Sequence, residues 1–293
     1  MKSGVKFSFL DLFLFAVISG VAVWAFFRIS LVLHYKWDWS GAFTYIARYD
    51  ETSGSYVSGL LLEGLGMTVR LSIWSSLLAS LIGLIAGIMK LSEKMFLKWI
   101  AIFYIGIVRN IPSIVFIFIF YFFISSQITL VLNLDEIFTG LEKYDRILSF
   151  LFSPSSMLTL FISAVLTLAL YEGAYMAEIV RAGIESIEKG QVEAADALGF
   201  TWIGKMRYIV LPQAFKRILP PMAGQIISVI KDSAIVSVIS VQELTFRGTE
   251  LMASSYRTYE IWIMITAMYF IVTYGCAVAV RYIEKSMERR GYV

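Results

Sequence analysis

Six stretches of mostly apolar residues, at roughly 7–33, 66–89, 111–133, 156–176, 222–241 and 261–280, occupy much of this 293-residue chain. A helix that crosses a bilayer needs about 20 such residues. In hydrocarbon its backbone groups must be satisfied internally, so a stretch of this kind is helical or it does not cross. The chain therefore reads as an all-α integral membrane protein with about six transmembrane helices, and the spans leave little room for a soluble domain. A hydrophobic fraction of 58% against 16% charged residues, with a mean hydropathy of +0.75, is far from the composition of a soluble domain.

The first stretch follows Lys2 and Lys6, is too long for the apolar core of a signal peptide, and is not followed by a small-residue cleavage site, so it is expected to remain as an anchor. The single cysteine, Cys276, lies inside the last stretch. That excludes an intrachain disulfide and a cysteine-based metal cluster. The net charge of +3 is ordinary for a membrane protein, and no basic patch interleaved with aromatics points to nucleic acid.

Loop charge sets the orientation. Segments 1–6, 90–98, 177–221 and 281–293 hold 15 Lys and Arg, whereas 34–65, 134–155 and 242–260 hold 6. By the positive-inside rule both termini are expected to be cytoplasmic. The outward segments carry Trp37, Trp39, Tyr45 and Tyr49, aromatic anchors suited to an interface, and the only histidine, His34, falls at that boundary.

Between the second and third stretches, KMFLKWIAIFYIGIVRNIPS (94–113) has Lys94, Lys98 and Arg109 in an apolar and aromatic background. Pro112 should break a preceding helix, which predicts a helix over 96–110 lying along the cytoplasmic interface. One long kinked span is the alternative. Small residues recur four apart at Ala79, Gly83 and Gly87 and again at Ala169, Gly173 and Ala177. Such stripes let helix backbones approach closely in lipid.

The longest inward loop, 187–221, is patterned. Gly190 is expected to end the helix leaving the fourth span, and a short helix is expected over Glu193 to Leu198 with Ala194, Ala195 and Leu198 as a small apolar face. Gly199 suits a left-handed turn after it. A second helix is expected from Ile203 to about Val210, Pro212 then restarting the chain and Pro220-Pro221 setting the approach to the fifth span. Within this loop GFTWIGK (199–205) has the G-x-x-x-x-G-K skeleton of a phosphate-binding loop. That loop requires Ser or Thr after the Lys and a preceding strand. Residue 206 is Met and what precedes Gly199 is helical in pattern, so nucleotide binding by this stretch is not expected.

The same residues fit a different pattern. Glu193-Ala194-Ala195, three residues, Gly199, nine residues, then Ile209-x-Leu211-Pro212 resembles the EAA loop of the membrane subunits of binding-protein-dependent ABC importers. GAYMAEIVRAGIESIEKGQ (173–191), IISVIKDSAIVSVISVQEL (226–244) and the R-x-x-P elbow in YIGIVRNIPSIVFIFIFYF (104–122) are similar to permeases for polar amino acids. The resemblance covers about 66–283, with the loop at about 191–212, and leaves 1–65 as an extra N-terminal helix with an extracytoplasmic loop and 284–293 as a cytoplasmic tail. It implies a type I importer transmembrane domain that is no enzyme and holds no cofactor or metal. ATP would be hydrolysed by two separate ATPase subunits, which Glu193, Ala194, Ala195 and Gly199 would contact. The implied partners are a second permease chain, an extracytoplasmic solute-binding protein, membrane lipid and a polar amino acid, with glutamine, glutamate and aspartate favoured. In the subfamily a threonine-serine pair usually follows the Lys-Asp. Here Asp232 is followed by Ser233-Ala234, one hydroxyl fewer.

Lys231 and Asp232 fall in the middle of the fifth stretch, where charge is costly unless it faces protein or water. Either they line the translocation path with Glu172, or they form a buried pair locking the helix to Glu172 or Glu178. Glu178 and Arg181 share a helix face and can pair with each other. Two alternatives remain open: an ABC permease for another small solute, and an ion-coupled secondary transporter, which predicts broken helices in paired halves. An integral-membrane enzyme would want several acidic or histidine groups converging at one interface, and neither this nor the secondary transporter accounts for the EAA spacing.

Overall fold

The structure, a computed structural model, describes residues 8–32, 35–52, 54–140 and 142–289. Lys2, Lys6, His34 and the last residues of the expected tail lie outside the described residues. Among the described residues six helices are long and apolar enough to cross a membrane, as the sequence predicts.

The bundle is built on the second and fourth spans. The second runs over Leu60–Lys90 and the fourth over Leu158–Glu185, both longer than their apolar stretches. Their two small-residue stripes meet. A Cβ on Gly83 would lie 3.1 Å from the backbone of Met176 and Ala177, and one on Gly87 would lie 2.8 Å from the Ala177 carbonyl oxygen. Ala79, Ala169 and Ala177 are fully buried in the same contact. In lipid there is no hydrophobic force between helices, so this close backbone approach and its dispersion contacts hold the pair together. Leu71, Ile117, Leu168, Val229 and Val236 continue the core toward the third and fifth spans.

An amphipathic helix, Met95–Asn110, precedes the third span. Ile111 is extended at φ −99 and ψ 137, and Pro112 opens the next helix, Ser113–Ile119. The chain thus breaks at the expected elbow and the long kinked span is not adopted. π-helical turns at Phe120–Ser125 lead into Ser126–Val131 and complete the span.

The segment after the fourth span departs from the expected layout in three places. The fourth helix ends at Glu185, not at Gly190, because Ser186 turns its hydroxyl onto the Gly183 carbonyl and competes with the helical ladder. Gly190 lies inside the following helix, Lys189–Ala197. The helix opening at Trp202 does not stop at Val210: it widens into π-helical turns over Met206–Val210 and continues as Leu211–Asp232. Pro220 and Pro221 sit within that helix. They remove two N–H donors on a stretch where Lys216 and Arg217, one turn earlier, are exposed residues. Meanwhile Ala214 and Ile218 bury into a cluster with Val180, Ile184, Met206 and Val210, and that packing outweighs the local preference of proline to break.

The fifth helix ends at Asp232, where the chain tightens into 3-10 turns over Ser233–Ile239 and stops at Ser240 with φ 67. The sixth span, Thr258–Arg289, follows a shorter helix, Leu244–Ser255. At this end of the bundle Trp39–Phe43 forms a helical turn capped by Asp38, and Ala47–Asp50 (β1) pairs antiparallel with Ser55–Ser58 (β2). The small hairpin was not anticipated. The first span, Phe9–Val32, packs on this end through Phe26 stacked on Trp37 at 5.1 Å and a Trp37–Ser30 hydrogen bond of 2.8 Å.

Candidate functional site

Two places carry the sequence-predicted residues. The first is the contact between the fourth and fifth helices. Glu172 is fully buried, and Gln225 donates to one of its carboxylate oxygens at 2.7 Å. The other oxygen, also buried, has no hydrogen-bond partner among the described residues. Asp232 faces the same carboxyl. Gln225 and Asp232 are seven residues apart, two helical turns, and therefore share one face. Lys231, turned about 100° away from Asp232, is exposed. The expected Lys231–Asp232 pair thus divides: Asp232 meets Glu172 and Lys231 does not. Glu178, the other expected partner, is held instead by Arg181 at 2.7 Å, by Lys90, and by Arg109 at 3.7 Å.

Beside Gln225 an open cleft of about 680 Å³ runs toward the end of the bundle that carries the Lys189–Ala197 helix, lined among others by Arg109, Tyr175, Glu178, Arg181 and Arg217. Arg109 lies 5.5 Å from the centroid of the Tyr175 ring, and the Tyr175 hydroxyl is 3.1 Å from that of Tyr171. Arg217 donates to the Ser186 carbonyl. Three guanidiniums against one carboxylate, with a buried carboxyl and an amide above them, give a wall with donors and acceptors for a polar solute bearing both charges. Sequence reading missed Gln225, although its spacing from Asp232 was a usable signal.

The second place is the hairpin of Lys189–Ala197 and the turn after it. Gly199 takes φ +76, its N–H bonds to the Asp196 carbonyl at 3.0 Å, and the Phe200 N–H bonds to the Ala195 carbonyl at 3.1 Å. These two bonds are a Schellman closure, which needs a left-handed residue at this position. Thr201 caps the next turn through the Gly204 N–H, and Lys205 pairs with Asp196 at 2.7 Å across the hairpin. The lysine of the G-x-x-x-x-G-K stretch is thereby engaged within the chain. Of the expected docking residues, Glu193, Ala194 and Gly199 are exposed, as is Leu198, whereas Ala195 is buried. A partner would meet a carboxylate, a small methyl face and a bare turn.

A multi-pass membrane protein with an exposed hairpin at one end and a polar contact buried among its helices has the form of a membrane transport subunit. Sequence comparison agrees: residues 79–289 match the profile of the binding-protein-dependent transport system inner membrane component family, and the chain belongs to that family. It is 33% identical over 229 residues to the glutamine transport system permease protein GlnP of Escherichia coli (strain K12), covering 78% of this chain and 93% of that one. To the glutamate/aspartate import permease protein GltJ of the same strain it is 29% identical over 255 residues, covering 87% of this chain and 96% of that one. Among solved structures, the crystal structure of an amino acid ABC transporter with histidines aligns with a TM-score of 0.65 and 30% identity, covering 86% of this chain and all of that one.

Proposed function

We propose that the chain is the permease subunit of an ATP-driven importer for a polar amino acid, with glutamine, glutamate or aspartate as the cargo. The relatives named for glutamine and for glutamate/aspartate transport support the cargo class. The observation that carries the reading is the hairpin: an exposed Glu193-Ala194 face closed by Gly199 at φ +76, at the spacing of the EAA loop.

In this reading residues 66–283 form the permease domain, 1–65 add a helix and an outer segment, and 284–293 are a tail. Both termini and the hairpin are cytoplasmic. A solute-binding protein docks outside, a second permease chain completes the path, and two ATPase subunits hydrolyse ATP and push on Glu193, Ala194 and Gly199. Ala195 acts from inside, holding the hairpin as one body. Glu172, with Asp232 and Gln225, presents acceptors for the ammonium of the cargo, and the arginine-lined cleft receives its carboxylate on the way to the cytoplasm. Lys231, exposed on the chain taken alone, faces the second permease chain.

The test is ATP hydrolysis by the reconstituted complex, with ATPase and binding protein in lipid, across a panel of amino acids. Stimulation by one loaded binding protein, with Glu172→Gln changing which amino acid is taken up or its KM, is the expected result. Intact assembly with no stimulation by any amino acid would keep the importer architecture and assign it another small solute. Unchanged uptake by Glu172→Gln would remove Glu172 from the path.

A further inference from the structure

At the end of the bundle that carries the β1–β2 hairpin, opposite the Lys189–Ala197 helix, three distant segments line a second cavity, of about 230 Å³. The start of the second span contributes Glu63 and Arg70, the loop before the fourth contributes Ser149 and Met157, and the segment after the fifth contributes Gln242 and Arg247. Arg70 donates to the Gly66 carbonyl at 3.1 Å and to the Ser149 carbonyl. Among the described residues no carboxylate lies within ion-pair distance of it. Arg247 pairs with Glu250 at 2.8 Å and with the Gln242 side-chain oxygen at 2.7 Å, and its Nε is buried without a partner. The one carboxylate in the wall, Glu63, accepts from the Ser58 hydroxyl at 3.2 Å.

Two guanidiniums thus line a small cavity with a buried donor left over: Arg70 has no carboxylate partner among the described residues, and Arg247, paired with Glu250, keeps its Nε without an acceptor. Arginine presents N–H groups in a planar fork that matches a carboxylate, and a buried donor without an acceptor is unfavourable until one arrives. The cavity is separate from the Glu172 contact. Ile82, which touches Gly173 beside Glu172, lies twelve residues beyond Arg70 on the same helix, ~18 Å along its axis.

We propose that this cavity is an outer anion site, in which Arg70 and Arg247 take a carboxylate of the incoming amino acid before it reaches Glu172. This rests on the amino-acid reading and on the orientation given above. It gives a binding protein somewhere to release its cargo: the solute passes from that protein to a fixed pair of cations and then to the interior carboxyl, rather than into open water.

The site is read locally by cysteine labelling. Met157 in the wall is replaced by Cys in a Cys276→Ser background, and the assembled complex is labelled in lipid vesicles with a methanethiosulfonate bearing either a sulfonate or a trimethylammonium group. An anion site makes the sulfonate reagent faster, on the order of tenfold. Arg70→Gln collapses that preference, and Arg247→Gln serves the same purpose should the first variant fail to assemble. L-glutamate and L-glutamine slow the labelling, whereas the α-amide of glutamine, which lacks a carboxylate, does not. Equal rates for the two reagents, or equal protection by the amide, overturn the proposal. So does loss of docking of the unliganded binding protein in Arg70→Gln without protection by amino acids, which would give the site to a carboxylate of that protein. Uptake by the same vesicles is measured separately: its absence for every amino acid sinks the amino-acid reading, while uptake of an amino acid that gives no protection overturns the outer site alone.

Discussion

Gly199 offers the sharpest test of the hairpin, because the structure separates backbone from packing there. Its φ of +76 is in the left-handed region, and a Cβ added at this position would meet nothing within 4 Å. Replacement therefore adds no clash within the chain, and what remains is the cost of holding an L-residue left-handed. That cost is ~1–2 kcal/mol for an ordinary side chain and is felt most by β-branched ones. A penalty of this size lowers the closed-to-open ratio of the hairpin by about 5–30-fold. Asparagine tolerates the same backbone region far better than valine does. The series Gly199→Asn, Gly199→Ala, Gly199→Val should accordingly lose coupling in that order, with Asn near normal and Val reduced by about 5–30-fold. The assay is amino-acid uptake per ATP hydrolysed in proteoliposomes, with membrane insertion checked for each variant. Normal uptake by Gly199→Val would refute the role of the turn. A loss in Gly199→Asn as large as in Gly199→Val would refute the backbone argument and place the cost in a partner's contact with the side chain.

Gly87→Ala places a methyl 2.8 Å from the Ala177 carbonyl and from Val180, so the second and fourth helices must separate; the expected loss is about 1–3 kcal/mol in thermal unfolding of the detergent-solubilised chain. Gly20→Ala, where nothing lies within 4 Å, is the control and should leave unfolding unchanged. Tyr35→Phe removes a donor from Glu260, which is fully buried and otherwise accepts the Asp38 N–H at 2.8 Å. This should cost about 1–3 kcal/mol and speed proteolysis of the segment joining the first span to the second. Burial and the neighbouring Glu260 push the Tyr35 hydroxyl from 10.0 up to about 12. Because the folded value is the higher one, the contribution is whole below the ordinary value and is lost only as pH rises through about 12, so the effect of the substitution should be flat across neutral pH. Glu243, outside the spans, is raised by burial although Thr245, Phe246, Tyr269 and Thr68 all donate to its carboxylate. Its contribution is present below the ordinary value of 4.5 and declines as pH rises above it, and Glu243→Gln should remove that part of the pH dependence of unfolding.

Much of this architecture was legible because lipid leaves few choices. Six apolar stretches could only be helices, the stripes at Ala79–Gly87 and Ala169–Ala177 could only be close contacts, and Gly199 at the end of a short helix could take the turn that few other residues take. What sequence reading missed were matters of tertiary balance. Pro220 and Pro221 look like breakers until Ala214 and Ile218 are seen buried on one side and Lys216 and Arg217 exposed on the other. The hairpin of β1 and β2 is only four residues a side, with most of its residues exposed, too short for an alternation to be read. Gln225 carries no charge and so no sign in the sequence that it is costly to bury, although its offset from Asp232 puts the two on one face. The Arg70–Arg247 cavity could not have been seen, since its walls come from three segments far apart in the chain.

The continuous fifth helix changes how the two sites relate. Had the chain broken at Pro220-Pro221, a push on the hairpin would have been absorbed at the break. Instead Leu211–Asp232 is one helix of 22 residues, ~33 Å long. Its first turns continue from the hairpin's second half through Met206–Val210 and pack Ala214 and Ile218 on Val180 and Ile184 of the fourth helix, with Val192 of the hairpin against the same cluster, and its last turns carry Gln225 and Asp232 to Glu172. The fourth helix, which bears Glu172, is held to the second by backbone contacts at Gly83 and Gly87 that leave no space for sliding. A displacement at Glu193 on the proposed mechanism is therefore carried along the fifth helix and resisted by the fourth. The strain concentrates where the two meet through polar groups instead of interdigitated side chains: the Gln225–Glu172 hydrogen bond and the arginine-lined cleft beneath it. On the proposed reading, binding site and lever are two ends of one element, so a solute that bridged Glu172 and Gln225 would alter the energy of moving the hairpin, and by reciprocity an ATPase acting on the hairpin would alter the affinity for the solute.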